Sequence, residues 1–145
     1  MRRAAIVLIA VMMCASYGFG QNSGVPQWKV VKEIHLSDQT ASIPFTTILT
    51  PAVEGLYRIS LYDSASTEVQ QQTFWTIIVD WTDKTGQDGN IGNQLYVVPG
   101  GLWNQYSSIC QPKVGTAVTF YVLPSDPPPQ DATYDVAVVI EQLTH

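Results

Sequence analysis

The segment Gly55–Asp63 contains an apolar pattern with a period of two. Tyr57, Ile59 and Leu61 would share one face of an extended chain, and the polar residues between them would share the other. This period of two is typical of a half-buried β-strand, because an amphipathic helix repeats its apolar residues every three or four positions. The preceding turn contains Pro51, whose ring fixes its own φ. We therefore expect a turn followed by a central strand.

The alternation recurs along the rest of the chain. Pro44 lies inside the segment Ala41–Leu49 and favours an edge or bulged strand, because proline has no N–H to donate to a strand ladder. Loops rich in Gly, Asn, Asp, Ser or Pro separate the segments. The further predicted strands are Trp28–Leu36, Ala41–Leu49, Gln72–Trp81, Gln94–Val98, Leu102–Ile109, Ala117–Leu123 and Thr133–Leu143, and the predicted loops are Ser37–Thr40, Ser64–Glu68, Thr82–Asn93 and Pro124–Asp131.

No helical pattern of useful length follows the N-terminal segment, so the fold class that we expect is all-β, an antiparallel β-sandwich. In its first strand, Trp28, Val30, Ile34 and Leu36 should share a face with Lys32. We see no internal repeat and no linker, which indicates a single domain over residues 28–145.

The first 20 residues have the pattern of a signal peptide. Arg2 and Arg3 precede the apolar run Ala4–Met13, which is too short to span a bilayer, and Gly18 and Gly20 suit a signal-peptidase site. Residues 21–27 are polar and predict a flexible leader. The two alternatives are a membrane anchor and a lipoprotein attached through a cysteine in this region, and we favour cleavage and export, to a periplasm or out of the cell.

Beyond residue 20, five Lys or Arg residues remain against 12 Asp or Glu residues. An acidic chain without a basic stripe has no electrostatic reason to bind nucleic acid or an anionic membrane. Cys110 is the one remaining cysteine, so no intrachain disulfide is expected. We interpret it as a small buried hydrophobe, with a reactive thiol or an intermolecular bridge as the alternative.

Three segments resemble the globular heads of the complement one-q and tumour necrosis factor (TNF)-like superfamily. Phe45–Tyr57 resembles the proline–glycine–leucine–tyrosine stretch that leads into a central strand of that group. Val114–Val122 resembles its penultimate strand, which is entered through a glycine turn, and Thr133–Gln142 resembles its last strand. The resemblance implies a jelly roll of about eight to ten strands that assembles as a homotrimer, and it brings no catalytic residues.

Two predicted strands carry apolar residues on both faces, which gives an independent reason to expect assembly. Phe74 and Ile78 would face away from the core on one strand, and Ala137 and Val139 on the other. A two-layer sandwich has a single interior, and exposed apolar patches often mark an interface. The alternative is that these are isolated surface hydrophobes.

Four oxygen-bearing side chains crowd one predicted loop: Asp80, Asp83, Asp88 and Asn90. Carboxylate and amide oxygens suit a hard cation such as calcium. Their spacing does not match an EF-hand, and Asp and Asn are also the residues that tight turns select. Calcium binding and turn chemistry therefore both remain open.

Trp103, Tyr106 and Tyr96 lie among Gly, Asn, Gln and Ser residues. Aromatic faces beside amides are what a sugar-binding surface needs, but a sandwich also places aromatics at its rim. Core or interface packing is the default interpretation of these three residues, and a ligand-binding surface is the alternative.

Catalytic chemistry finds little support in the residue types present. His35 is predicted on an outward strand face and His145 is the last residue, and neither pairs with an evident nucleophile. Two histidines and Cys110 do not make a convincing zinc site. We expect an exported, non-enzymatic jelly-roll domain that self-assembles as a binding or structural module, with a glycan or a protein as ligand. The alternative is a monomeric carbohydrate-binding module that uses its exposed aromatics.

Overall fold

A computed structural model describes residues 24–67 and 72–145 of the chain. The predicted signal peptide and residues 21–23 of the predicted leader lie outside the described residues, as does the end of the predicted loop at Glu68. Within residues 24–67 and 72–145, no helix is long and apolar enough to cross a membrane.

In the described part of the chain, eight antiparallel strands form two four-stranded sheets. Sheet A has the strand order β1-β8-β3-β6, and sheet B has the order β2-β7-β4-β5. Eight strands wound into two sheets in this order form a jelly roll, which confirms the predicted fold class. The strands are β1 Gln27–Gln39, β2 Ile43–Leu49, β3 Tyr57–Ser66, β4 Phe74–Thr82, β5 Asp88–Tyr96, β6 Leu102–Cys110, β7 Val118–Pro124 and β8 Thr133–Thr144.

The core lies between the two sheets and consists of the side chains that the alternation predicts to face inward. Tyr57, Ile59 and Leu61 of β3 are buried, as predicted. Strands β4 and β8 bury one row each in the same way. The buried residues of these two strands are Trp75, Ile77, Val79, Trp81, Tyr134, Val136, Val138 and Ile140.

Two predicted turns meet at one end of the sandwich. The backbone N–H of Gly115 donates to the carbonyl of Pro51 at 2.9 Å. Gly115 has a φ of 77°, a value that disfavours side chains with a Cβ. The turn before β3 is thereby held against the turn before β7. Strand β2, which contains Pro44, lies at the edge of sheet B and has register shifts, as predicted.

The first residues of strand β1 face the opposite side of the sheet from the one predicted. The register of β1 on β8 shifts between Val30 and Lys32. Because one extra residue in a strand exchanges its faces, Trp28 and Val30 point outward, whereas Ile34 and Leu36 pack against the core. Val30 is accordingly 56% exposed.

Three predicted loops are shorter than expected because strands extend into them. Strand β3 continues past Asp63 to Ser66, and β1 continues past Leu36 to Gln39 through a second register shift. Strand β5 begins at Asp88, although the sequence predicted a loop up to Asn93.

Two glycines of β5 lie where strand β4 leaves no room for a side chain. A Cβ on Gly89 would lie 2.6 Å from the indole nitrogen of Trp81, and a Cβ on Gly92 would overlap the backbone carbonyl of Ile77. Glycine in a strand often marks such a close approach. Strand β5 therefore needs glycine for the tight packing of β4 against it, although glycine is otherwise a turn signal.

Cys110 is 8% exposed and lies in the core cluster, and burial raises the pKa of its thiol to about 12. The thiolate is the reactive form, so a pKa this high makes the thiol unreactive near neutral pH. Iodoacetamide at pH 8 should alkylate Cys110 at least about 100-fold more slowly in the native protein than in 8 M urea. Mass spectrometry of the peptide that contains Cys110 measures both rates. Equal rates would contradict the burial of this side chain.

Candidate functional site

The outer face of sheet B is predominantly apolar. We call the following six residues the apolar face: Phe45, Phe74, Ile78, Tyr96, Tyr121 and Leu123. The strand registers place them on the side of the sheet that points away from the core. Phe45 is 67% exposed, and Tyr96 and Leu123 are exposed as well.

Ring contacts hold the apolar face together. The rings of Phe45 and Tyr121 are 4.0 Å apart between centroids, and those of Phe74 and Tyr96 are 5.4 Å apart. Ile78 lies beside Tyr121 on the neighbouring strand. The result is a surface of packed side chains that crosses all four strands of sheet B.

Acidic side chains border the apolar face at one end. Burial raises the pKa of Asp80, which the hydrogen bond with Tyr121 opposes and the nearby charge of Asp88 reinforces. Because burial disfavours a charged carboxylate, a partner that covered Asp80 would raise its pKa further.

The outer face of sheet A, unlike the apolar face of sheet B, carries an ion pair at one end. The guanidinium of Arg58 donates to both carboxylate oxygens of Glu141, at 2.6 and 2.7 Å, and lies 4.8 Å from the ring centroid of Trp28. The hydrogen bond between them raises the pKa of Arg58 and lowers that of Glu141. This cluster joins β1, β8 and β3, and Trp28 can join it because the bulge turns its side chain outward.

A groove of about 270 Å³ lies at the opposite end of the same face. Trp103 borders it and is 76% exposed. The carboxylate of Asp135 accepts the backbone N–H of Asp38 at 2.8 Å and the hydroxyl of Ser64 at 3.4 Å. His35, Tyr62 and Ala137 also line the groove.

The structure does not bring the three predicted ligand-binding aromatics together. Trp103 points outward from sheet A, whereas Tyr106, three residues further along β6, points to the inner side. Tyr96 belongs to the apolar face of sheet B. An odd spacing within a strand places two residues on opposite faces, so Trp103 and Tyr106 cannot form one platform.

The predicted interface residues divide between the two outer faces in the same way. Phe74 and Ile78 belong to the apolar face, while Ala137 and Val139 lie on the outer face of sheet A, and all four are half-buried. They therefore belong to two separate surfaces.

The four predicted calcium ligands are also divided. One carboxylate oxygen of Asp83 accepts the hydroxyl of Thr85 at 2.7 Å and the backbone N–H groups of Thr85 and Gln87 at 2.8 and 2.9 Å, and these bonds lower its pKa. Asp83 thus closes the β4–β5 turn. Asp80, Asp88 and Asn90 lie near one another on the outer side of sheet B. No cluster of three or more His, Cys, Asp or Glu residues suited to a metal occurs in the described part of the chain.

A buried polar cluster between the sheets was missed by the sequence analysis. Asp63 is 4% exposed, and its Oδ1 accepts the side-chain amides of Asn104 at 2.9 Å and Asn93 at 3.4 Å. Burial raises the pKa of Asp63, and the two amide hydrogen bonds oppose that shift. The signal was present, because a period of two from Leu61 places Asp63 on the inward face.

His35 lies on the outward face of β1, as predicted, and hydrogen-bonds to the carboxylate of Glu33. Its side chain is 62% exposed. His35 borders the same groove as Trp103, and the lining of that groove also includes Asp135.

The comparisons with known proteins identify no family for this chain. No family model matches the chain, and no curated protein matches it. Among solved structures, one of infectious bursal disease virus, Gx strain, is similar to 81% of this chain, with a TM-score of 0.48 and 9% identity. The chain spans about a third, 32%, of the length of that protein.

Proposed function

We propose that this chain is an exported, non-enzymatic jelly-roll protein that assembles with copies of itself through the apolar face. The observation that supports the proposal is the run of aromatic and aliphatic side chains across sheet B. Phe45, at 67% exposure, is its most open member. Exposed apolar surface that is contiguous in this way is typical of an interface.

Charge favours the apolar face over other surfaces for contact between copies. Beyond residue 20 the chain carries an excess of seven acidic residues, so two copies repel each other at most orientations. The six side chains of the apolar face carry no charge, and Asp80 and Asp88 lie toward one end. Contact through this face brings copies together with the least like-charge repulsion, and closed homo-oligomers are the common result.

The size of the face fits this role. Four strands about 4.8 Å apart and about eight residues long on average, at about 3.3 Å per residue, give roughly 510 Å² of flat sheet before side-chain relief is counted. A standard interface takes about 800 Å² from each partner. Assembly would therefore use the whole face, with side-chain relief and residues such as Phe45 at its rim adding to the contact.

The resemblance to the TNF-like superfamily supports a trimer as the closed form. In the structure, the segment that begins at Phe45 leads into the interior strand β3, and Gly115 precedes β7, in the order that the resemblance implies. These placements support the resemblance at the level of the jelly roll. The trimer and the exported location remain parts of the proposal.

Solution mass tests the proposal. We expect the wild-type chain to have the mass of a trimer at micromolar concentration in light scattering after size exclusion. Ile78→Lys should give monomers at the same concentration, at least about 100-fold weaker association, because an unpaired charge at the centre of an interface leaves a desolvated ammonium.

Val139→Lys is the matched control for this change. Val139 and Ile78 are both half-buried, outward-facing and in interior strands, and each has an acidic side chain close by, Glu33 or Asp80. The control should remain assembled. A monomeric wild type would refute self-assembly, a dimer would refute the trimer alone, and loss of assembly only in Val139→Lys would move the interface to sheet A.

A further inference from the structure

The groove beside Trp103 has the shape and the chemistry of a small-molecule site. Its floor is formed by outward-facing side chains of the two interior strands of sheet A, Ala137 and Asp135 on β8 and Ser64 and Tyr62 on β3. Trp103 on β6 and His35 on β1 stand at its borders. The small side chain of Ser64 is the cross-strand neighbour of Trp103 and leaves room for a flat ring beside the indole.

Trp103 presents a face that is available for stacking. Its side chain is 76% exposed and projects from an edge strand, so a ligand can approach from above and from the side. An aromatic ring has a negative face that attracts the C–H groups on the flat side of a sugar.

Asp135 supplies a fixed hydrogen-bond acceptor. The backbone N–H of Asp38 and the hydroxyl of Ser64 each bind one of its carboxylate oxygens, at 2.8 and 3.4 Å. A carboxylate has about four lone-pair sites, so acceptor positions remain free on a group whose direction is already set. Tyr62, whose side chain also lines the groove, adds a hydroxyl.

We propose that this groove binds a neutral oligosaccharide, with one sugar ring stacked on Trp103 and ring hydroxyls hydrogen-bonded to Asp135. A pocket that combines an aromatic wall with a few oriented polar groups is the usual form of a specific small-molecule site. The groove runs across three strand spacings from β6 to β1, about 14 Å, which is longer than a single ring.

The local charge selects against anionic ligands. Asp135 lies in the groove, and Glu33 and Asp38 lie close by on β1. His35 is the basic group of the lining, and it is already hydrogen-bonded to Glu33. A uronic acid or a sulfated sugar would meet net negative charge here, whereas neutral hydroxyls would meet acceptors.

Calorimetric titration of the whole protein with cellohexaose, xylohexaose, mannohexaose, maltohexaose and chitohexaose tests the proposal. At least one of these should bind with a Kd in the micromolar to low millimolar range. Trp103→Ala should weaken that binding at least about tenfold, and Trp103→Phe, which keeps an aromatic face, should retain most of it. Asp135→Asn should also weaken binding.

Ile109→Ala is the matched control, since Ile109 is exposed on the same face of β6 at its other end. Its affinity should equal that of the wild type. No binding across the panel, or equal loss in Ile109→Ala and Trp103→Ala, would overturn the proposal, as would tighter binding of hexagalacturonate than of any neutral sugar. The site is separate from the apolar face, so Trp103→Ala should leave the solution mass unchanged, and the two proposals can fail independently.

Discussion

Replacing Gly92 with alanine should lower the free energy of unfolding by about 2–3 kcal/mol. A Cβ at this position would overlap the backbone carbonyl of Ile77 and would lie 2.9 Å from Cγ1 and 3.0 Å from Cα of Ile78. Backbone atoms cannot rotate away as the end of a side chain can. The methyl group would therefore push β5 off β4, at the edge of the sheet where the apolar face ends.

The expected change in stability has the opposite sign to the usual effect of replacing glycine with alanine in a strand. At an uncrowded strand position, alanine is more stable than glycine by roughly 0.5–1 kcal/mol, because glycine loses more backbone entropy on folding. Asn90→Ala provides the control, since Asn90 is exposed on the same side of β5. Urea denaturation followed by tryptophan fluorescence measures both variants. A midpoint for Gly92→Ala at or above that of the wild type would show that the two strands are not in the described contact.

Replacing Asp63 with asparagine should raise the free energy of unfolding at pH 7 by about 1–3 kcal/mol, although most substitutions of buried residues destabilise. Asp63 lies between the sheets, and its Oδ1 accepts both amides of the cluster. In the described part of the chain, its Oδ2 and the Oδ1 of Asn93 are buried without a hydrogen-bond partner. Asparagine keeps one acceptor, replaces the unpartnered oxygen with an N–H donor and removes the buried charge.

The gain should depend on pH in a defined direction. Burial raises the folded-state pKa of Asp63 above its unfolded value of about 3.9, so the folded chain holds the proton more tightly. The stability contributed by protonated Asp63 is complete below about pH 4 and is lost as the pH rises through the folded pKa. The advantage of Asp63→Asn should therefore be largest at neutral pH and should disappear toward pH 4.

Thermal or urea unfolding between pH 3.5 and 8 measures this dependence. Asp88→Asn is the control, because Asp88 is exposed on an edge strand and its replacement should change stability by less than about 0.5 kcal/mol at every pH. A destabilised Asp63→Asn at pH 7 would mean that the charged carboxylate is the favoured form in the folded chain.

Strands whose alternation is unbroken could be assigned from the residues alone. The buried rows of β3, β4 and β8 appear in the structure as the period of two predicts, and Pro44 correctly marked an edge strand. Continued one step further, the same period also locates Asp63 in the interior. The polar segment before Asn93 was misassigned because glycine in a turn and glycine under a packed side chain are identical in a sequence.

The amino-acid sequence by itself determined which segments are extended and which of their faces are apolar, because side-chain direction along a strand depends only on neighbouring residues. Only the tertiary structure decided which strands are neighbours and in what register. A single bulge turned Trp28 outward onto Arg58, and the strand order brought Trp103 to the same groove as Asp135. Strand pairing links residues far apart in the chain, so an alternation that recurs from strand to strand does not say which strand pairs with which.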